Sequence, residues 1–217
     1  MLIANVAPRS MGKTTDTGWM LHALHEMRGP DGSPRWAVRG YDADHSQQLL
    51  RWAETGEFPF PVEPAASSRF HRTVTVPHDT IAVVDCGHTE NHPDITDSVL
   101  RVADLVLLHL TPSTADIERC VDPPVGVPIR DMVIRSAPLR ESGEPPVAWA
   151  LLNRTVPHAV STQEAREWLA EEGWQTLTTT IGNRERYKQS IGAPVVGALT
   201  TEFGALVAEL EQRGLIK

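Results

Sequence analysis

The chain has 217 residues, 41% of them apolar, 22% charged and 6% aromatic, a balance ordinary for a folded globular chain that excludes wholesale disorder. Its 20 lysines and arginines stand against 28 aspartates and glutamates, and the resulting formal charge of −8 argues against a strong grip on nucleic-acid phosphates across the whole surface. No stretch approaches the roughly 18 apolar residues that a membrane span needs, no basic leader precedes the first apolar segment, and Cys86 and Cys120 show no CxxC or Cys/His spacing, so the expectation is a cytoplasmic protein with reduced thiols and no structural zinc.

Taken in chain order, Leu2 to Val6 is a buried strand and Lys13 to Met27 a helix ended by Gly29-Pro30. Trp36 to Tyr41 is the second strand, and Ser46 to Glu54 a helix stopped at Gly56. Pro59, Pro61 and Pro64 make Phe58 to Ser68 a loop, after which Arg72 to Val76 fits a short edge strand. Thr80 to Asp85 and Asp104 to Leu110 are nearly continuous apolar runs, the pattern of parallel strands buried on both faces. Asp94 to Ala103 is a helix entered by Pro93, Thr114 to Cys120 another, and Pro128 to Arg135 a third. Val147 to Leu152 is a strand; Ser161 to Glu172 is a helix with a capping box from Ser161 to Glu164 and a stop at Gly173. Thr176 to Thr180 is the last strand, and Arg184 to Ser190 and Glu202 to Arg213 are helices. Strands alternating with helices at this spacing predict an α/β fold, a doubly wound and mostly parallel sheet, as one domain over residues 1–217.

The segment Ala7-Pro-Arg-Ser-Met-Gly-Lys-Thr-Thr15 lies between the first strand and the first helix, where a phosphate-binding loop belongs. Such loops follow GxxxxGK[ST], because the chemistry needs amides turned into a concave loop, a lysine for the outer phosphates and a hydroxyl for Mg²⁺. Gly12, Lys13 and Thr14 stand in register with the second half of the pattern, and Ala7 replaces its first glycine. The alternative is an N-terminal helix whose Lys13 is merely solvated.

Further stretches extend the pattern. Asp42-Ala-Asp44 closes the second strand and is followed by Trp52-Ala53; Ala82-Val-Val-Asp85-Cys-Gly87 is an apolar strand ending in a carboxylate; Ala103 to Ser113 is a strand leading into Thr111-Pro-Ser; Asn153-Arg154 follows a strand; and Ile181 to Val195 carries Arg184, Tyr187, Gly192 and Pro194. In this order and spacing the chain resembles the ParA/MinD-type deviant Walker ATPases, most closely the short plasmid-partition ParA members. Their loop reads KGGxGKTT. Here Pro8-Arg-Ser-Met-Gly-Lys-Thr-Thr15 keeps GKTT and departs at the lysine and both preceding glycines.

The resemblance implies a P-loop ATPase that binds ATP and Mg²⁺. It places Arg9, Ser10, Met11, Gly12, Lys13, Thr14 and Thr15 around the phosphates, with Lys13 on the β- and γ-phosphates, Thr14 on the metal and Thr15 on the α-phosphate. Asp85 holds a metal-bound water, or caps the following turn. Asp44 positions the attacking water, or belongs to a solvated acidic turn; Asp42 is a metal-side or structural carboxylate. Asn153 reads the adenine edge, or is a turn residue. The implied function is an ATP-dependent switch that partitions plasmid or other DNA cargo, forming an ATP-dependent homodimer, with a ParB-like DNA-binding adaptor and weak non-specific DNA contact through Arg154, Arg184, Arg186, Lys188 and Arg213, residues that equally fit a solvated helix face with interspersed acids. A metabolic ATP-dependent enzyme of the dethiobiotin synthetase or cobyrinate amidation type is the alternative, as is a nucleotide-binding scaffold that has lost hydrolysis. The family's lysine reaches across the dimer; Pro8 cannot, and Arg9 has the charge and reach to replace it. The six tryptophans read as packing residues, and the nine histidines, without an HExxH motif, as surface or loop residues.

Overall fold

A computed structural model describes residues 1–217. Seven strands form one sheet in the order β3-β2-β4-β1-β5-β6-β7: β1 (Leu2–Val6), β2 (Ala37–Ala43), β3 (Val62–Pro64), β4 (Thr80–Cys86), β5 (Leu105–Leu110), β6 (Val147–Leu152) and β7 (Gln175–Thr176). Every pairing is parallel. The helices are α1 (Lys13–Glu26), α2 (Gln48–Thr55), α3 (Phe70–Thr73), α4 (Pro93–Leu100), α5 (Thr114–Val121), α6 (Ile129–Ser136), α7 (Val160–Glu171), α8 (Glu185–Lys188) and α9 (Glu202–Gln212).

Two apolar cores lie on opposite faces of the sheet, and strand alternation assigns residues to them. Ala4 and Val6 of β1, Val84 of β4 and Leu108 of β5 pack with Ile95, Ile117, Met132 and Leu169 from α4 to α7. Ile3, Val83 and Leu107, one residue out of phase, pack with Leu21 and Leu24 of α1, Trp52 of α2 and Phe203 of α9. Continuing the second phase to the C-terminal strand ends puts Asn5, Asp42, Asp85 and His109 on the α1 and α2 face, where ligands bind in open parallel sheets. All four are buried.

Several elements differ from expectation. The proline-bearing stretch contributes β3, which pairs only with β2 at the sheet edge; there a proline's missing N–H faces no partner, and the Pro61 carbonyl accepts from Gly40 at 2.9 Å. Arg72 to Val76 is not a strand: Phe70 is fully buried edge-on against Tyr41, and the chain around it closes into the turn α3. β7 stops after Thr176, because the Thr178 and Thr179 amides donate to the Glu209 carboxylate of α9 (2.8 and 2.7 Å) instead of to a strand. The capping box at Ser161 does not form; α7 begins one residue earlier with Ala159 at its N-cap and no side-chain cap. Arg184 to Ser190 shortens to the single turn of α8.

The tryptophans pack as expected, and three also use the indole N–H: Trp19 donates to the Ser190 hydroxyl at 3.0 Å, Trp52 to the Ala193 carbonyl at 2.8 Å and Trp36 to the Lys217 carbonyl at 3.0 Å. The Trp52 ring lies so close to Gly18 that a Cβ there would come within 2.3 Å of it, so α1 and α2 meet only because residue 18 has no side chain.

Two histidines read as surface or loop residues are buried: His109, on β5, and His22, on α1, between Phe58 and Phe60. Burial pushes His22 down to about 4, and its Nε2 has no partner. The folded state therefore resists a proton that the unfolded chain accepts below about pH 6.5, so stability falls as pH drops through that value and goes on falling until about pH 4. Between pH 7 and pH 5 the loss is about 2 kcal/mol. His22→Phe is expected to flatten that slope in urea titrations at the two pH values; an unchanged slope would show that His22 is not its source.

Candidate nucleotide site

At Gly12 the chain turns from the β1 loop into α1 with φ +90°, a left-handed conformation that glycine adopts without steric cost. A Cβ there would also lie 2.6 Å from Asn153 Nδ2. Immediately after it, the amides of Gly12, Lys13, Thr14 and Thr15 find no acceptor within the protein. Four free N–H groups at the positive end of a fourteen-residue helix favour an anion there. The departures from the family's loop have visible consequences: Pro8 has no amide to offer, and the Met11 amide turns inward to the Arg9 carbonyl at 2.9 Å.

Three of the four strand-end residues, all but Asp42, each meet a residue of α1. Asn5 donates to the Thr17 hydroxyl at 2.8 Å, the Thr14 hydroxyl donates to Asp85 Oδ2 at 2.6 Å, and His109 Nδ1 lies 2.8 Å from Asp16 Oδ2. Asn153, after β6, donates to the Met11 carbonyl at 2.8 Å and to Asp16 Oδ2 at 2.7 Å, while its Oδ1 accepts the Arg154 amide at 2.7 Å. Its amide is thus committed to holding the loop, which is not the posture of a group reading a base edge. The joining of Asp16, His109 and Asn153 is not visible in the sequence, because the three lie on distant segments; the one local signal is His109, a single polar residue inside the apolar run Leu105 to Leu110.

Lys13 is buried, with Nζ 3.4 Å from the Arg9 carbonyl. Desolvation lowers its pKa, opposed by the negative charge of Asp85 and Asp44. Burial likewise pushes Asp85 up to about 7 against the pull of Lys13 and the Thr14 hydroxyl. Asp85 Oδ1 is buried without a partner, and with the Thr14 hydroxyl it offers the hard oxygen donors that suit Mg²⁺.

Asp42 is fully buried, and its two oxygens accept the amides of Asp44 (3.0 Å) and Leu50 (2.9 Å). It fixes the loop that carries Asp44. The half-buried Asp44 lines a cleft of about 330 Å³ together with Lys13, Thr14, Gln48, His88 and His92. The two histidines were not anticipated as site residues; His88 Nε2 lies 3.3 Å from the Ser10 hydroxyl. A smaller recess on the other side of Gly12 is lined by Thr15, Asn153, Asn183, Arg184 and Lys188, and Arg154 borders both.

Arg9 is exposed and reaches Glu90 at 3.6 Å, the same carboxylate that Arg119 holds at 3.0 Å. The basic residues expected to form a late patch are mostly neutralised: Arg184 and Arg186 pair with Glu202, Lys188 with Glu185 and Arg213 with Glu209.

No protein-family model and no curated protein matches the sequence. Among solved structures, the fold superposes on a plasmid partition protein of Borrelia burgdorferi B31 bound to AMPPNP, with a TM-score of 0.69 at 11% identity over 98% of both chains. It also superposes on an aspartate-to-alanine variant of Cyanothece McdA in complex with ATP, with a TM-score of 0.68 at 13% identity over 97% of this chain and 96% of that one. A ParA family ATPase of Chlorobium tepidum TLS gives a TM-score of 0.59 at 12% identity over 97% of each. The fold is therefore that of the ParA-family ATPases, and no helix in it is long and apolar enough to cross a membrane.

Proposed function

We propose that this ParA-like chain, a single domain over residues 1–217, is a cytoplasmic, ATP-binding and slowly hydrolysing switch that positions plasmid or other DNA cargo. The observation carrying the reading is the join of α1 to the sheet: free amides after a left-handed Gly12, a buried Lys13, and the Thr14 hydroxyl on Asp85. Two of the solved structures sharing this fold are bound to AMPPNP or ATP, which supports nucleotide as the ligand.

In this reading the amides of residues 12 to 15 and Lys13 bind the phosphates, and Thr14 with Asp85 holds Mg²⁺, which when bound neutralises charge on the transferred phosphoryl group. Asp44, held by Asp42, orients the attacking water in line with the γ-phosphate. ATP binding joins two copies, hydrolysis separates them, and a ParB-like adaptor times the cycle. The pairing of the late basic residues with carboxylates leaves DNA contact weak and salt-sensitive. The inward Met11 amide and Pro8 favour weaker nucleotide affinity than a glycine-rich loop would give, and they are the observation that keeps a hydrolysis-deficient scaffold as the second reading.

Sedimentation with MgATP and MgADP, alongside phosphate release, tests the switch: association in MgATP alone supports it, and a monomer in both contradicts it. Arg9→Ala is expected to remove that association while leaving ATP binding within a few-fold. Its guanidinium is more than half exposed and must leave Glu90 to reach a partner's phosphates. A dimer that survives the substitution eliminates Arg9 as the replacement for the family's lysine.

A further inference from the structure

Resting on the nucleotide reading above, we propose that Arg154 is a phosphate clamp, a guanidinium held over the loop of its own subunit to bind the nucleotide's polyphosphate. A Cβ built on Gly12 would lie 3.8 Å from both Arg154 Nε and Nη2, so the guanidinium sits over the start of α1, where the free amides converge. It borders both the cleft that holds Lys13 and Asp44 and the recess across Gly12.

The backbone is built to keep it there. Arg154 has φ +53°, a conformation that costs a non-glycine residue free energy, and such strain persists where its surroundings fix it. The fixing group is Asn153, whose Oδ1 accepts the Arg154 amide while its Nδ2 donates to the Met11 carbonyl. One side chain thereby ties the arginine and the phosphate loop into a single unit.

The charge balance points to an anion. Of the other basic side chains lining the two hollows, Arg184 and Lys188 each pair with a carboxylate and Lys13 rests on a backbone carbonyl. The exposed Arg154 guanidinium makes no hydrogen bond or ion pair, although it stands over a helix N-terminus; the negative charge near it, Asp16, is already engaged by His109 and Asn153. Its donors are therefore free for an incoming anion. The loop is also short of donors, since Pro8 has none and Met11 spends its own, and a guanidinium supplies five in a planar fork that fits phosphate oxygens two at a time.

Arg154→Gly and Arg154→Lys, each titrated calorimetrically with MgATP and with inorganic tripolyphosphate, test the clamp. Glycine accepts φ +53°, so R154G is expected to melt at or above the wild-type temperature while losing affinity for both ligands by roughly 10- to 100-fold. R154K is expected to recover only part of it, because an ammonium acts as a point charge. R154G binding both ligands as tightly as wild type overturns the assignment to Arg154 alone. R154G losing MgATP but keeping tripolyphosphate also overturns it, placing the side chain on the base. Wild-type protein that binds neither ligand overturns the nucleotide reading and the clamp with it.

Discussion

Lys13→Ala is expected to abolish calorimetrically measurable MgATP binding, a loss of at least about 100-fold, while the protein stays folded. The loss is large because Lys13 is buried beside the free amides of α1, where an ammonium interacts with a phosphate under little solvent screening. Survival of the fold follows from Asp85. Leaving a buried charge without the opposite charge that offsets it is expensive, on the order of 3–5 kcal/mol. Burial has already pushed the Asp85 carboxyl up to about 7, so without Lys13 it takes a proton and keeps its hydrogen bond from Thr14. Calorimetry and a thermal melt on the same preparation check both halves. Wild-type affinity in the variant removes the phosphate-loop assignment, and an unfolded variant shows that Lys13 is a structural cation instead.

The sheet's centre was legible because burial on both faces leaves a plain mark in a sequence. Thr80 to Asp85 and Asp104 to Leu110 are apolar at nearly every position, and they became β4 and β5, on either side of β1. Edges leave a weaker mark. Pro64 ends β3 where a central strand would need a donor, and only the one-sided pairing with β2 makes it tolerable, a fact of position that local composition does not encode. The early end of β7 has the same character: Glu209, thirty residues downstream of Thr179, supplies the acceptor that stops it.

In the site, the residues found from motifs were those whose chemistry depends on local spacing: Gly12, Lys13 and Thr14 are consecutive, and Asp42 and Asp44 share one strand end. The support beneath them joins distant segments. Asp16 on α1, His109 on β5 and Asn153 after β6 meet only once the sheet is wound, and each read alone is an unremarkable polar residue. Asn153 follows an apolar strand and is visible in the sequence as a candidate, but its contacts to Met11 and Asp16 are not, because they depend on how closely its amide approaches the side-chain-free Gly12.

Asp44→Asn is expected to retain MgATP binding within a few-fold and to lower the rate of phosphate release by about 100-fold or more, so that the ATP-bound, associated state accumulates. The asparagine is chosen over alanine for a physical reason. Asp44 Oδ1 accepts the Ser46 amide at 2.8 Å, shaping the turn before α2, and an asparagine carbonyl can accept the same bond. What it cannot do is attract a proton from water or present a second anionic oxygen to the cleft. Asp42 continues to hold the residue-44 amide at 3.0 Å, so the altered side chain starts from the same backbone position. Asp44→Ala serves as the companion: if only the turn matters, D44A loses activity and D44N keeps it. If the carboxylate orients the attacking water, both lose turnover together while their affinities for MgATP stay close to wild type. Wild-type phosphate release from D44N would leave Asp44 as the cap of a turn and move the search for the water-positioning group to His88 and His92, which line the same cleft.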